Sequence, residues 1–197
     1  MSENELMISQ GMELGKIFAE SGLFPDIKSA AQGYIKILAG RELNMTPMQA
    51  LNAFYFVNGK IGIVGNAVAA LIKNSKKYDY VINTLTNTEC SITFYSLNAT
   101  STVGLTNKEK IGESVFTIKD AAAAGLVNKD VWKNYTRNML FNRALMNGSR
   151  WYCPDIMSSA PYSVEELEDL TTAPNMQTIE ITTEGNVENG KSNQEKA

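Results

Sequence analysis

Apolar residues recur over 4–21 at Leu6, Met7, Met12, Leu14, Ile17 and Phe18, the spacing of one helical face. Gly11 and Gly15 weaken that helix, and Gly22 and Pro25 break it. Asp26 is placed to cap a second helix running to about Leu43. Its residues Ile27, Ala30, Ala31, Tyr34, Ile35, Leu38 and Ala39 keep a 3.6-residue period. Thr46 followed by Pro47 opens a third helix, because proline at the first helical position lacks only an N–H with no partner there anyway. Tyr55–Val57 and Lys60–Val64 are apolar runs separated by Asn58-Gly59, a pair that tolerates positive φ, so a hairpin is predicted. A helix over 66–75 follows, with Lys73, Lys76 and Lys77 at its exit. Runs rich in β-branched and aromatic residues at 78–82, 90–95 and 114–118 predict strands. Residues 98–112 fit a short strand or a mobile loop. A short helix from Asp120 to Ala124, opened by Thr117 or Lys119 and ended by Gly125, leads to a long helix over about 134–152, stopped by Pro154.

These elements add up to an α+β domain: a small antiparallel sheet with helices packed on it, spanning 1–170. Beyond residue 170 the chain is polar and acidic, and Ile179 and Ile181 stand almost alone. So little apolar surface does not offset the entropy of ordering, so 171–197 is expected to be a disordered acidic tail.

Composition narrows the chemistry. The chain has 197 residues, 44% hydrophobic and 20% charged, as a soluble domain has. No apolar run nears the roughly 18 residues a membrane span needs. The first residues are acidic and polar, unlike a secretory signal, so a cytoplasmic protein with Cys90 and Cys153 reduced is expected. Histidine is absent. That removes Ser–His and Cys–His nucleophile pairs and histidine-ligated metals. No phosphate-cradling G-x-x-x-x-G-K-[ST] or G-x-G-x-x-G run is present. The expectation is a protein that is not an enzyme and uses no cofactor.

Charge is unevenly spread. The net value is −3, yet residues 28–150 hold fifteen lysines and arginines against seven acids. Residues 165–197 hold eight acids against two lysines. A basic body with an acidic tail suits a nucleic-acid binder and fits an ordinary solvated surface equally. On the 134–152 helix, Met139, Leu140, Ala144 and Leu145 form the core side, while Arg143, Asn147 and Arg150 share another face, with Lys133 and Arg137 upstream. Such a face suits a phosphate backbone or an acidic partner. Lys73, Lys76 and Lys77 either complement a helix C-terminus or face phosphates. Trp132 and Tyr135 either staple the helix to the sheet or stack on bases.

Four motifs, covering 27–170, together resemble the phage RecT-type single-strand annealing proteins. They are Gly40-Arg41-Glu42-Leu43-Asn44-Met45-Thr46-Pro47; the hairpin Phe56-Val57-Asn58-Gly59-Lys60-Ile61; Phe116-Thr117-Ile118-Lys119-Asp120-Ala121 through Trp132-Lys133-Asn134-Tyr135; and Met139-Leu140 through Arg143, Arg150, Pro154-Asp155-Ile156 and Tyr162-Ser163-Val164-Glu165-Glu166. Two features depart from the family: the chain is short, and Val64-Gly65 stands where several members read Ser-Ala.

The resemblance implies helices around a basic groove and ATP-independent pairing of complementary DNA strands in phage recombination. It implies rings or helical filaments of one chain, and a phage exonuclease or host single-strand-binding protein as partner. It carries Lys133, Arg137, Arg143 and Arg150 over as phosphate contacts. Charge adds Lys60, Lys73, Lys76 and Lys77, and aromaticity adds Trp132 and Tyr135. About five neutralised phosphates correspond to a log–log salt slope near −3.5. Two other expectations compete with annealing: a module of this fold that inhibits or adapts to a host protein, and a carboxylate nuclease using Asp120, Asp130 and Asp155.

Overall fold

The computed structural model describes residues 3–99, 106–157 and 162–171. The chain opens with two helices, α1 (Glu3–Glu20) and α2 (Ala30–Glu42), packed against each other. Their seam is made of glycine: Gly15 meets the backbone of Ala30 and Gly33, and Gly11 lies under the Tyr34 ring. Helix α2 starts later than expected. Its cap is Ser29, whose side chain accepts from the Gln32 N–H, and not Asp26. Asp26 is instead 2.6 Å from the ammonium of Lys36, which is fully buried. Asp26 also accepts from the Phe56 N–H, so it ties α2 to the first hairpin rather than to its own helix. Burial pulls Lys36 below the usual lysine range, against the opposing pull of Asp26.

Helix α3 (Pro47–Ala53) begins as the sequence predicts, with a reciprocal capping box between Thr46 and Gln49. Strands β1 (Phe54–Val57) and β2 (Lys60–Ile63) pair antiparallel around Asn58 and Gly59, whose φ values are 49° and 76°. Helix α4 (Gly65–Asn74) buries Val68 and Ile72.

A three-stranded antiparallel sheet follows, in the order β3 (Tyr78–Leu85), β4 (Glu89–Ala99), β5 (Thr106–Thr117). In the stretch 98–112 the strand alternative holds for the described residues. Most of it belongs to β4 and β5, whose pairing runs out to Ala99 opposite Thr106. Its polar residues left strand and loop both open, because β-propensity is a weak guide where one face of a strand meets water. Helix α5 (Ile118–Ala123) is capped by Thr117 with Asp120 reaching back.

The long helix predicted over 134–152 is two pieces, α6 (Asp130–Asn134) and α7 (Thr136–Tyr152), broken at Tyr135. Helix α7 crosses the inner face of the sheet and buries Met139, Leu140, Ala144 and Leu145 against Ile92, Phe94 and Cys90. Gly148 permits this approach. A Cβ there would overlap the Phe94 ring and crowd Ser114. Gly148→Val is therefore expected to cost about 3 kcal/mol, read as a lower urea midpoint with an unchanged slope. After a single 3-10 turn (Pro154–Ile156) comes α8 (Val164–Thr171), which packs on β1 and β2 beside a parallel bridge between Ile63 and Ser163.

The architecture is α+β with small antiparallel sheets. No helix among the described residues is long and apolar enough to cross a membrane. The predicted acidic tail lies outside the described residues from 172 onward.

Candidate nucleic-acid interface

The break between α6 and α7 creates a polar cleft of about 330 Å³ lined by Asn87, Lys133, Asn134, Tyr135, Thr136, Arg137 and Asn138. Helix α6 ends because Tyr135 leaves helical geometry, with φ −130° and ψ 40°. The same residue starts α7 with no side-chain cap, and the first turn of α7 lines the cleft. The positive end of a 17-residue helix dipole is therefore directed there. Tyr135 is 61% exposed and lines the cleft together with Lys133 and Arg137. Arg137 is exposed, with no ion pair among the described residues. Lys133 is exposed and only 3.9 Å from Asp130, itself almost fully in water, a separation at which an ion pair contributes little. Asn87 comes from the β3–β4 turn, held in place where the Ile118 N–H donates to the Thr88 carbonyl. The next residue, Lys119, is exposed and unpaired among the described residues. Three of the expected site residues, Lys133, Tyr135 and Arg137, thus share one cleft.

The structure corrects two others. Arg143, Asn147 and Arg150 do share a face of α7, but that face meets α8 and is only partly open to solvent. Arg150 grips Glu166 through both guanidinium nitrogens, at 2.8 and 2.7 Å, and also donates to Asn147. Arg143 lies 2.5 Å from Asp169 and 3.5 Å from Glu166. Lys129, just before α6, completes the network at 2.7 Å from Asp169. Glu166 is 4% exposed and takes a further bond from the Ser163 N–H. Two arginines spent on buried carboxylates are not available to phosphate. The acids of α8 were counted with the acidic tail because their helix partner lies 16–26 residues upstream, beyond any local pattern.

Trp132 is corrected as well. It is 1% exposed, with its ring centroid 6.3 Å from that of Phe116, so it staples α6 to the sheet and cannot stack on a base.

The lysines chosen from charge alone lie elsewhere. Lys60 is exposed beside the β1–β2 turn. Lys73 and Lys108 both bind Asp79, and Lys73 sits 4.5 Å above the Tyr80 ring. Burial raises the Asp79 carboxyl, but Lys108, Lys73 and the Tyr80 N–H outweigh it and bring its pKa down to about 2. Lys77 pairs with Asp155 at 2.9 Å. Lys76, exposed between them in sequence, has no ion pair among the described residues. Of the fifteen cations in 28–150, at least nine stand in ion pairs among the described residues, so the sequence surplus overstates the free positive surface.

The acids proposed for a nuclease are scattered. Asp120 caps α5, Asp130 sits in the first turn of α6, and Asp155 holds Lys77. Among the described residues no group of three metal-binding side chains converges. Burial drives the Cys90 thiol to about 11 and the Cys153 thiol to about 12, so neither is a thiolate at neutral pH.

Four lining residues, Asn87, Asn134, Thr136 and Asn138, and the flanking Lys119 were not singled out from sequence. Asn87 carried no signal at all, since only the sheet brings it beside α6. Comparison with known protein families, characterised proteins and solved structures returns no match to this chain in any of the three.

Proposed function

We propose that the chain binds single-stranded DNA at the α6–α7 cleft and pairs complementary strands without ATP. One observation carries this: an exposed Tyr135 lines the same polar cleft as Lys133 and Arg137. An aromatic face accepts a base of any identity, and flanking cations neutralise the phosphates on either side. Such a grip reads no sequence and leaves Watson–Crick edges facing out, as annealing requires. The side-chain amides of Asn87, Asn134 and Asn138 add neutral donors to phosphate or sugar oxygens. The order of the four RecT-like motifs supports the same conclusion, and the third of them supplies Lys133-Asn134-Tyr135 at the cleft itself.

The ion-paired state of Arg143 and Arg150 reduces the expected number of phosphate contacts. Lys133 and Arg137 remain in the cleft, and with exposed Lys119, which was not among the expected contacts, each protomer neutralises about three phosphates. Log affinity for oligothymidine is then expected to fall with log salt at a slope near −2, against −3.5 for five contacts. Fluorescence anisotropy with a labelled oligonucleotide over a salt series measures this. A flat dependence, or no binding at low salt by a folded chain, removes the DNA proposal and favours a module that contacts a host protein.

A further inference from the structure

The chain beyond α8 departs close to the α6–α7 cleft. Asp169, near the end of α8, accepts from the Lys129 ammonium on its carboxylate at 2.7 Å and on its main-chain carbonyl at 3.2 Å. Lys129 immediately precedes α6, and the cleft opens at the other end of that helix, where Lys133 and Asn134 line it. Five residues of helix separate the two ends, about 8 Å at 1.5 Å per residue.

Charge on the two sides is complementary. Residues 172–197 hold four glutamates against two lysines, and Glu180, Glu184 and Glu188 all precede the first lysine, Lys191. The cleft presents the cations Lys133 and Arg137, and the rest of its lining is uncharged. Asp130, 3.9 Å from Lys133, compensates it only weakly. The acids Glu166 and Asp169 of α8 are held by Arg143, Arg150 and Lys129, so they do not supply the counter-charge.

The tether is long enough. Glu180 follows Thr171 by nine residues, a reach of up to about 30 Å when extended. A short tether gives the tail an effective concentration in the millimolar range, so even a weak contact is populated. An extended chain spaces residues four apart by about 13 Å, so the cleft takes one or two carboxylates at a time. A DNA strand carries its charge more densely and competes well against them.

We propose that residues 180–188 of the same chain occupy the α6–α7 cleft when no DNA is bound, an autoinhibitory contact that a single strand must displace. The competition rests on the reading of the cleft as a DNA interface, whereas the tail contact itself does not.

Two measurements on the full chain test this. In the first, without DNA, Asn186→Cys carries a nitroxide, and the native Cys90 and Cys153 are fully buried and stay untagged. Paramagnetic broadening is expected at the backbone amide signals of Asn87, Asn134 and Asn138. It is expected to vanish when Lys133→Glu and Arg137→Glu are added. An isotope-labelled, untagged chain mixed with tagged, unlabelled chain is expected to show none, because the contact is within one molecule. Sharp cleft signals in the tagged chain overturn the proposal, as does broadening that survives the charge reversal or appears in the mixture.

In the second, Glu180→Gln, Glu184→Gln, Glu188→Gln and Glu195→Gln are combined. Anisotropy with labelled oligothymidine is expected to show about fivefold tighter binding at low salt, as release of a weak tethered competitor gives. The gain is expected to shrink as salt is added. The control combines Glu3→Gln, Glu5→Gln, Glu13→Gln and Glu20→Gln in α1, the same change in net charge, and is expected to bind as the parent does. No gain from the tail, or an equal gain from α1, overturns the competition. If neither the parent nor the tail variant binds oligothymidine, the DNA reading of the cleft fails, and the broadening experiment still decides the tail contact by itself.

Discussion

Arg143→Glu combined with Arg150→Glu is expected to unfold the protein rather than to yield a folded chain that has lost a ligand. The two guanidinium groups are 19% and 27% exposed and bind carboxylates that are 5% and 8% exposed. Removing one partner of a buried ion pair costs about 3–5 kcal/mol, since the other charge is left without compensation. Reversal is worse, because it sets two more carboxylates against Glu166 and Asp169. The loss is comparable with the whole stability of an ordinary domain, about 5–15 kcal/mol. A milder version keeps the measurement quantitative. Arg150→Ala alone is expected to cost about 3 kcal/mol and lower the melting temperature by roughly 10 °C in a chain of this size. Unchanged melting would mean that α8 does not hold α7 as described. Glu165 beside this network accepts from Asn142, and burial raises its carboxyl above the usual range. Glu165→Gln retains an acceptor there and serves as the control that leaves the arginine pairs intact.

Lys133→Glu with Arg137→Glu is expected to do the opposite. Both side chains are exposed, so melting should change little, within about 0.5 kcal/mol per site. Affinity for single-stranded DNA should fall at least tenfold, about 1.4 kcal/mol, and the salt slope should shrink by about 1.4 as two phosphate contacts disappear. Tyr135→Ala should weaken binding by about 1–3 kcal/mol with no change in salt slope, whereas Tyr135→Phe keeps the ring and should bind as the parent does. The three variants separate charge from stacking. Full affinity in the double reversal would place the DNA surface elsewhere on the molecule.

The contrast between these two experiments follows from what a local pattern contains. Helix periodicity grouped Arg143 and Arg150 correctly on one face, and that much is geometry of the chain itself. Whether the face meets water or carboxylates depends on α8, which follows a 3-10 turn and the undescribed residues 158–161. Trp132 and Tyr135 had the same two interpretations from sequence. One is buried and the other 61% exposed, because the helix breaks between α6 and α7 and rotates the second ring outward. Asp26 shows a third case: a good capping residue in a good position is claimed instead by the buried ammonium of Lys36.

Short-range chemistry was legible in the amino-acid order alone. Thr46 and Thr117 caps, the Asn58-Gly59 turn, the runs that became β3 and β4, and the core side of α7 each rest on interactions within a few residues, so their signals are contained in the neighbouring letters. Only the tertiary structure decided which cations are free, which aromatic ring is open, and that Asn87 stands beside Arg137. Those properties belong to pairs of segments brought together by packing. Their energies depend on burial and on partners tens of residues away, quantities that no periodicity along one segment encodes.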